Sequence, residues 1–179
     1  MDVVMVRSVV QVCEDSLDHE ELLKDCSGFL TAVAKEFGYG DVVRGDANGI
    51  RAKFANEVVT KEPFHFIGKN PDLATEYAGK GHLVLGGLTS SEMTYKDKSG
   101  REHKASMGHV VIVVPGGPSK PGKVKLADGR EQPVRGGYPY CYQGAANRPY
   151  RLKERTQVDL VFPSVCLRDV IYPWLEVKQ

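Results

Sequence analysis

The sequence has no apolar run approaching the roughly 18–20 residues that span a bilayer, so no membrane-crossing helix is expected. It has no surplus of charge either: 24 basic and 23 acidic side chains leave a net charge of +1. Phosphate backbones are held by a basic excess, and the totals give no reason to expect a nucleic acid partner. The opening Met1-Asp2-Val3-Val4-Met5-Val6-Arg7 lacks a basic segment followed by a clean apolar core, and so does not read as a Sec leader. Cysteine is sparse. The four residues Cys13, Cys26, Cys141 and Cys166 contain no C-x-x-C pair and have no histidine three or four positions away, which argues against a structural zinc site. No metal or organic cofactor is expected.

What is present suits one folded unit. The 179 residues are enough for a single buried core and too few for two ordinary domains, and 41% apolar with 26% charged residues is a globular balance. No internal repeat is visible. Val3, Val4, Val6, Val9, Val10 and Cys13 recur near helical spacing, with strand as the alternative because of the β-branching. From Cys26, the apolar positions Phe29, Leu30, Val33, Ala34 and Phe37 lie on one face of a helix that Gly38 stops. Asn48 to Val59 reads as a further helix, and Asn70-Pro71 opens another with a cap and a proline at the first helical position.

Strands are expected afterwards. His82–Leu85 and the β-branched run His109–Val114 read as buried strands, Pro115–Pro121 as a loop, and Tyr138–Gln143 and Gln157–Phe162 as the last strands. Lys123 to Val134 alternates around Asp128-Gly129, a hairpin signal. Helices first and strands later predict an α+β domain in which N-terminal helices pack on a mainly antiparallel sheet.

The residues that carry chemistry are Cys26 and His109. A thiol at a helix start feels unpaired backbone N–H groups and the positive end of the helix dipole, both of which favour thiolate. The same N–H groups are suited to receive an oxyanion. Ser27 and Gly28 are small enough for a substrate carbonyl to come close. His109 opens the most hydrophobic strand, with Gly108 leaving room beside it. A helix-borne cysteine followed by a strand-borne histidine is the order of papain-like enzymes.

The block Lys24-Asp25-Cys26-Ser27-Gly28-Phe29 resembles the nucleophile motif of NlpC-type peptidoglycan peptidases, and Gly108-His109-Val110 resembles their histidine motif. More narrowly, the chain is similar to the first family of type VI secretion amidase effectors. The similarity is carried by Arg44-Gly45-Asp46-Ala47-Asn48, by His82-Leu83-Val84-Leu85-Gly86-Gly87-Leu88, and by Tyr138-Pro139-Tyr140-Cys141 followed by Gly144. Relative to shorter members, Ser119–Arg135 is an insertion. The resemblance implies a papain-like fold and an amidase that cuts the peptidoglycan stem peptide between D-glutamate and meso-diaminopimelate. It also implies delivery by a type VI secretion apparatus, without a signal peptide, into the periplasm of a target bacterium, and a cognate immunity protein in the producer.

The family pattern places a histidine-orienting group on the strand after the histidine strand, where the chain reads Tyr140-Cys141-Tyr142-Gln143 with no acid or histidine. Gln143 or a nearby backbone carbonyl is the candidate orienter. Ser27, Gly28, Gly108 and Cys141 are the substrate-side candidates, Cys141 being read first as a packing residue. With Cys26 set aside, one disulfide at most remains, and Cys13 with Cys166 is one pairing left open. His19, His65, His82 and His103 read as surface or packing histidines, and the three tyrosines 138, 140 and 142 as sheet packing. Arg44-Gly45-Asp46 reads equally as a turn or a groove wall. Two other functions remain: a phage or housekeeping wall hydrolase with the same chemistry, and a catalytically silent binding module.

Overall fold

The computed structural model describes residues 7–54, 63–97, 99–145 and 154–178. They form an α+β fold around an antiparallel sheet. Five helices and a helical turn are named in chain order: α1 (Val9–Ser16), α2 (Glu20–Leu23), α3 (Cys26–Glu36), α4 (Ala47–Phe54), α5 (Pro71–Gly79) and α6 (Val158–Val161). The strands are β1 (His65–Gly68), β2 (Leu83–Leu88), β3 (Thr94–Lys96), β4 (Glu102–Lys104), β5 (His109–Pro118), β6 (Gly122–Lys125), β7 (Glu131–Val134), β8 (Pro139–Tyr142), β9 (Thr156–Gln157) and β10 (Tyr172–Leu175).

The central sheet has the order β1-β10-β2-β5-β8-β9, with every pair antiparallel. Hairpins β3–β4 and β6–β7 form two small separate sheets. Because side chains alternate along a strand, the sheet buries two cores. On one face Leu83, Leu85, Val110, Ile112, Val114 and Tyr142 pack against Phe29, Leu30 and Val33 of α3 and Val9, Val12 and Cys13 of α1. On the other, Val84, Val111, Val113 and Cys141 pack against Ala74 and Ala78 of α5 and Val158, Val161 and Phe162 around α6. Each fully buried Leu, Val or Phe stabilises the fold by roughly 1.5–3 kcal/mol. The two layers therefore clamp β5 from both sides.

Local chemistry explains the helices. Ser8 and Gln11 make a reciprocal capping box at α1, which decides that segment as helix; Val3, Val4 and Val6 lie outside the described residues. Asp25 Oδ1 caps α3 by accepting from Ser27 N at 3.0 Å, and Gly38 follows its last turn with φ 83°. Asn70 Oδ1 accepts from the N–H groups of both Asp72 and Leu73 ahead of α5. α4 runs to Phe54, and the remainder of the expected helix falls outside the described residues.

Three expectations are corrected. Gln157–Phe162 is not a strand: pairing stops at Gln157, and Val158–Val161 turns into α6, whose four residues are all buried. Pro115–Pro118 is not loop: β5 continues to Pro118, with an irregular register between Val114 and Pro118 where it meets β8. The Cys13–Cys166 pairing is excluded, because the two residues pack in the cores on opposite faces of the sheet, and all four cysteines are free. Among the described residues, no helix is long and apolar enough to cross a membrane.

Candidate active site

Cys26 and His109 line one cavity of ≈ 500 Å³. Its floor is the start of α3 (Lys24 to Ser27) and the start of α4 (Asp46 to Asn48). Its rim is the segment Ala105–Gly108 with Tyr95 of β3, and Ala145 closes the far side. The two side chains arrive from opposite faces of the sheet. α3 packs over the face that Val110 enters, and Cys26 packs against that core. His109, one residue earlier on β5, faces the other layer, opposite Leu88 of β2.

His109 is buried, at 6% exposure. Its Nε2 lies 2.5 Å from Oε1 of Gln143, which is itself only 2% exposed. The ring of Phe162 meets the imidazole at 5.6 Å with planes 64° apart. Gln143 follows β8, and β8 pairs with β5 through Ile112↔Tyr142, so the amide stands two rungs along the ladder on His109's face. With Oε1 accepting, Nε2 carries the ring proton and Nδ1 is the basic nitrogen. Gln143 Nε2 is buried without a hydrogen-bond partner.

The thiol is less acidic than its helix-terminal position predicts. Burial pushes the Cys26 thiol up; the Val110 N–H opposes this, the Asp25 carboxylate adds to it, and the N–H groups of Ser27 and Cys26 oppose it again. The expected lowering by backbone N–H groups is present, but desolvation outweighs it.

Two glycines allow the walls to meet. A Cβ on Gly108 would lie 2.5 Å from Asn48 Oδ1 and 2.8 Å from the Leu88 carbonyl. That room lets Asn48 Oδ1 accept from Ser90 N at 2.8 Å, tying α4 to the loop beyond β2. A Cβ on Gly144 would overlap the carbonyls of Leu22 and Asp25, so only glycine lets the chain after Gln143 pass beside the start of α3. There Ala145 N donates to Leu23 O at 2.8 Å.

Of the sequence candidates, Cys26, Ser27, Gly108 and His109 share the cavity and Gln143 stands behind the histidine. Gly28 and Cys141 do not line it. Gly28 makes space for the Asp25 carboxylate that caps α3. Cys141 is fully buried in the second core, where burial pushes its thiol far up; it packs, in line with its first reading, and the substrate-side alternative does not reach the cavity. Asp46 is both turn and wall: it lines the cavity while Oδ1 accepts from Gly49 N at 2.7 Å. Tyr142 donates to Glu14, and Tyr140 lies under Arg155, away from this cavity. His65 and His82 pack against Trp174.

Sequence reasoning passed over several residues. The N–H of Val110 carries no side-chain signal. Asn48, Tyr95 and Met107 reach the cavity only through tertiary folding, although Met107 and Tyr95 are exposed large apolar side chains. Tyr95 is backed by His103 at 5.5 Å, and hydrogen bonds to Asp97 from the Ser99 hydroxyl first and from His103 Nε2 (2.9 Å) second hold that carboxyl down to about 2. Further along α4, buried Arg51 donates from Nε to Gly87 O (3.0 Å) and pairs with Glu92 (2.7 Å). No group of three or more His, Cys, Asp or Glu among the described residues is placed to hold a metal ion.

Searches against protein-family models and against curated proteins find no match to this chain.

Proposed function

We propose that this protein is a papain-like, NlpC-type cysteine amidase that hydrolyses the peptidoglycan stem peptide between D-glutamate and meso-diaminopimelate. The observation that carries the reading is the convergence of Cys26 and His109 on one cavity, with the Val110 N–H directed at the sulfur and Gln143 against the imidazole. The motif resemblance supplies the substrate; the cavity, at ≈ 500 Å³, is of a size that takes a few peptide residues.

Burial holds the thiol protonated, so His109 Nδ1 takes the proton as Sγ attacks the amide carbonyl. The carbonyl electron pair moves onto oxygen, where the N–H groups at the start of α3 receive it; one such donor is worth roughly 3 kcal/mol. The C–N bond then breaks, and imidazolium protonates the departing amine. Water, deprotonated by neutral His109, attacks the thioester, releases the acid and restores the thiol. Gln143 keeps the ring in the tautomer that these steps need.

In the same reading the protein is an antibacterial effector of a type VI secretion apparatus, active in the target cell's periplasm, with an immunity protein that covers the cavity. The test is incubation of the purified chain with a defined diaminopimelate-containing muropeptide and mass identification of the fragments. Cleavage at the D-glutamyl bond, abolished in Cys26→Ala and in His109→Ala, is the expected result. Cleavage undiminished in Cys26→Ala refutes the mechanism.

A further inference from the structure

The hairpin β6–β7 lies outside the central sheet, yet it is fastened to the element that touches His109. Asp159 of α6 is buried, and its Oδ2 accepts from the N–H groups of Arg135 (2.8 Å) and Gly136 (2.9 Å), just beyond the end of β7. Leu160, the next residue, joins Leu126 and Val134 in a small apolar cluster of their own, with Val124 against it. Three residues after Asp159, Phe162 meets the His109 ring, and Phe162 N donates to Val158 O at 3.0 Å, which ties that residue's backbone to α6. The imidazole is thus held by the Gln143 amide at Nε2 and by Phe162 at its ring.

From this we infer that the β6–β7 hairpin is a brace for His109, acting through α6, with Asp159 and Phe162 as positioning residues. The inference rests on the proposed catalytic role of His109. A four-residue helical turn is too short to hold itself in place. Its orientation comes from what it docks on, and on its outer side that is the hairpin. An imidazole displaced by about 1 Å loses its alignment with the sulfur, which costs up to about a hundredfold in rate. The hairpin's effect is therefore on geometry and kcat, not on substrate contact.

The test uses the full chain and two readouts. The first is the downfield proton resonance of the His109 Nε2–H donated to Gln143, assigned by its loss in His109→Ala. The second is the kinetics of muropeptide cleavage. Phe162→Leu, Asp159→Ala and Leu126→Ser, each checked for native circular dichroism, are expected to broaden or shift that resonance and to lower kcat about tenfold or more with KM within about twofold. Leu126→Ser perturbs only the hairpin cluster and serves where Asp159→Ala fails to fold. A resonance unchanged in folded Leu126→Ser and Phe162→Leu overturns the brace. If the wild-type protein cleaves no muropeptide, the amidase reading fails, while the resonance still decides whether the hairpin positions His109.

Discussion

Replacing Arg51 with alanine is the sharpest test of how α4 is held to β2 and the loop beyond it. The guanidinium is 2% exposed, and burial lowers its pKa while Glu92 opposes that fall. Removing one partner of a buried ion pair costs roughly 3–5 kcal/mol, because the other charge is left uncompensated. Here Glu92 has a side chain 35% exposed, so water recovers part of that cost. Glu92 also keeps the Thr89 N–H at Oε2, 2.7 Å away. The Gly87 carbonyl loses the Arg51 Nε donor but retains Ile171 N at 3.3 Å across the bridge it shares with that residue. The expected loss for Arg51→Ala is therefore about 3 kcal/mol. For a chain of this length that corresponds to a fall in Tm of roughly 6–12 °C. The single tryptophan, Trp174, is stacked with His65 on β10 and gives a fluorescence signal for urea unfolding. Glu92→Gln should lose at least as much, since it leaves the buried guanidinium without its counter-charge and its one amide oxygen cannot serve both Arg51 and Thr89. A loss below about 1 kcal/mol in Arg51→Ala would show that the pair contributes no more than a surface ion pair and refute the reasoning.

Three further outcomes follow from the same geometry. Asp25→Asn keeps a capping oxygen for Ser27 and removes the charge that raises the Cys26 thiol, so iodoacetamide should alkylate Cys26 several-fold faster at pH 7; an unchanged or slower rate contradicts the electrostatic account. Burial raises the thiols of Cys13, Cys141 and Cys166, so the folded chain holds these protons more tightly than the unfolded chain; their stabilising contribution is complete below an unfolded thiol pKa of about 8.5 and is lost as pH rises toward the folded values. Urea midpoints should fall between pH 8 and 10, less steeply in Cys141→Ala, and an identical slope in that variant removes its part. Tyr95→Ala should raise KM about fivefold with kcat nearly unchanged, while Tyr95→Phe behaves as wild type; a loss confined to kcat would place Tyr95 in the chemistry rather than at the rim.

Much of the framework was legible because local signals were strong. The apolar face from Phe29 to Ala34, the Asn70-Pro71 start and the Asp128-Gly129 turn each state their structure within a few residues. β1 and β10 were not legible. Each is four residues long, and Pro173 in Tyr172–Leu175 argues against an interior strand, although β10 sits between β1 and β2. The segment after Gln157 misled for another reason. Val158, Leu160 and Val161 are buried alongside Asp159, so the run has no exposed side and its period does not separate strand from helical turn. In the site, Cys26, His109 and Gln143 were readable from motif and strand order. The thiol's raised pKa was not, because desolvation depends on what packs over the helix start, which includes a loop and a strand far away in sequence.

Consecutive residues of one strand, His109 and Val110, look toward different layers, and the sulfur is approached through the second while the base is carried by the first. Neither layer alone holds both partners. In the proposed mechanism, thiol and imidazole act together only where both layers are in place.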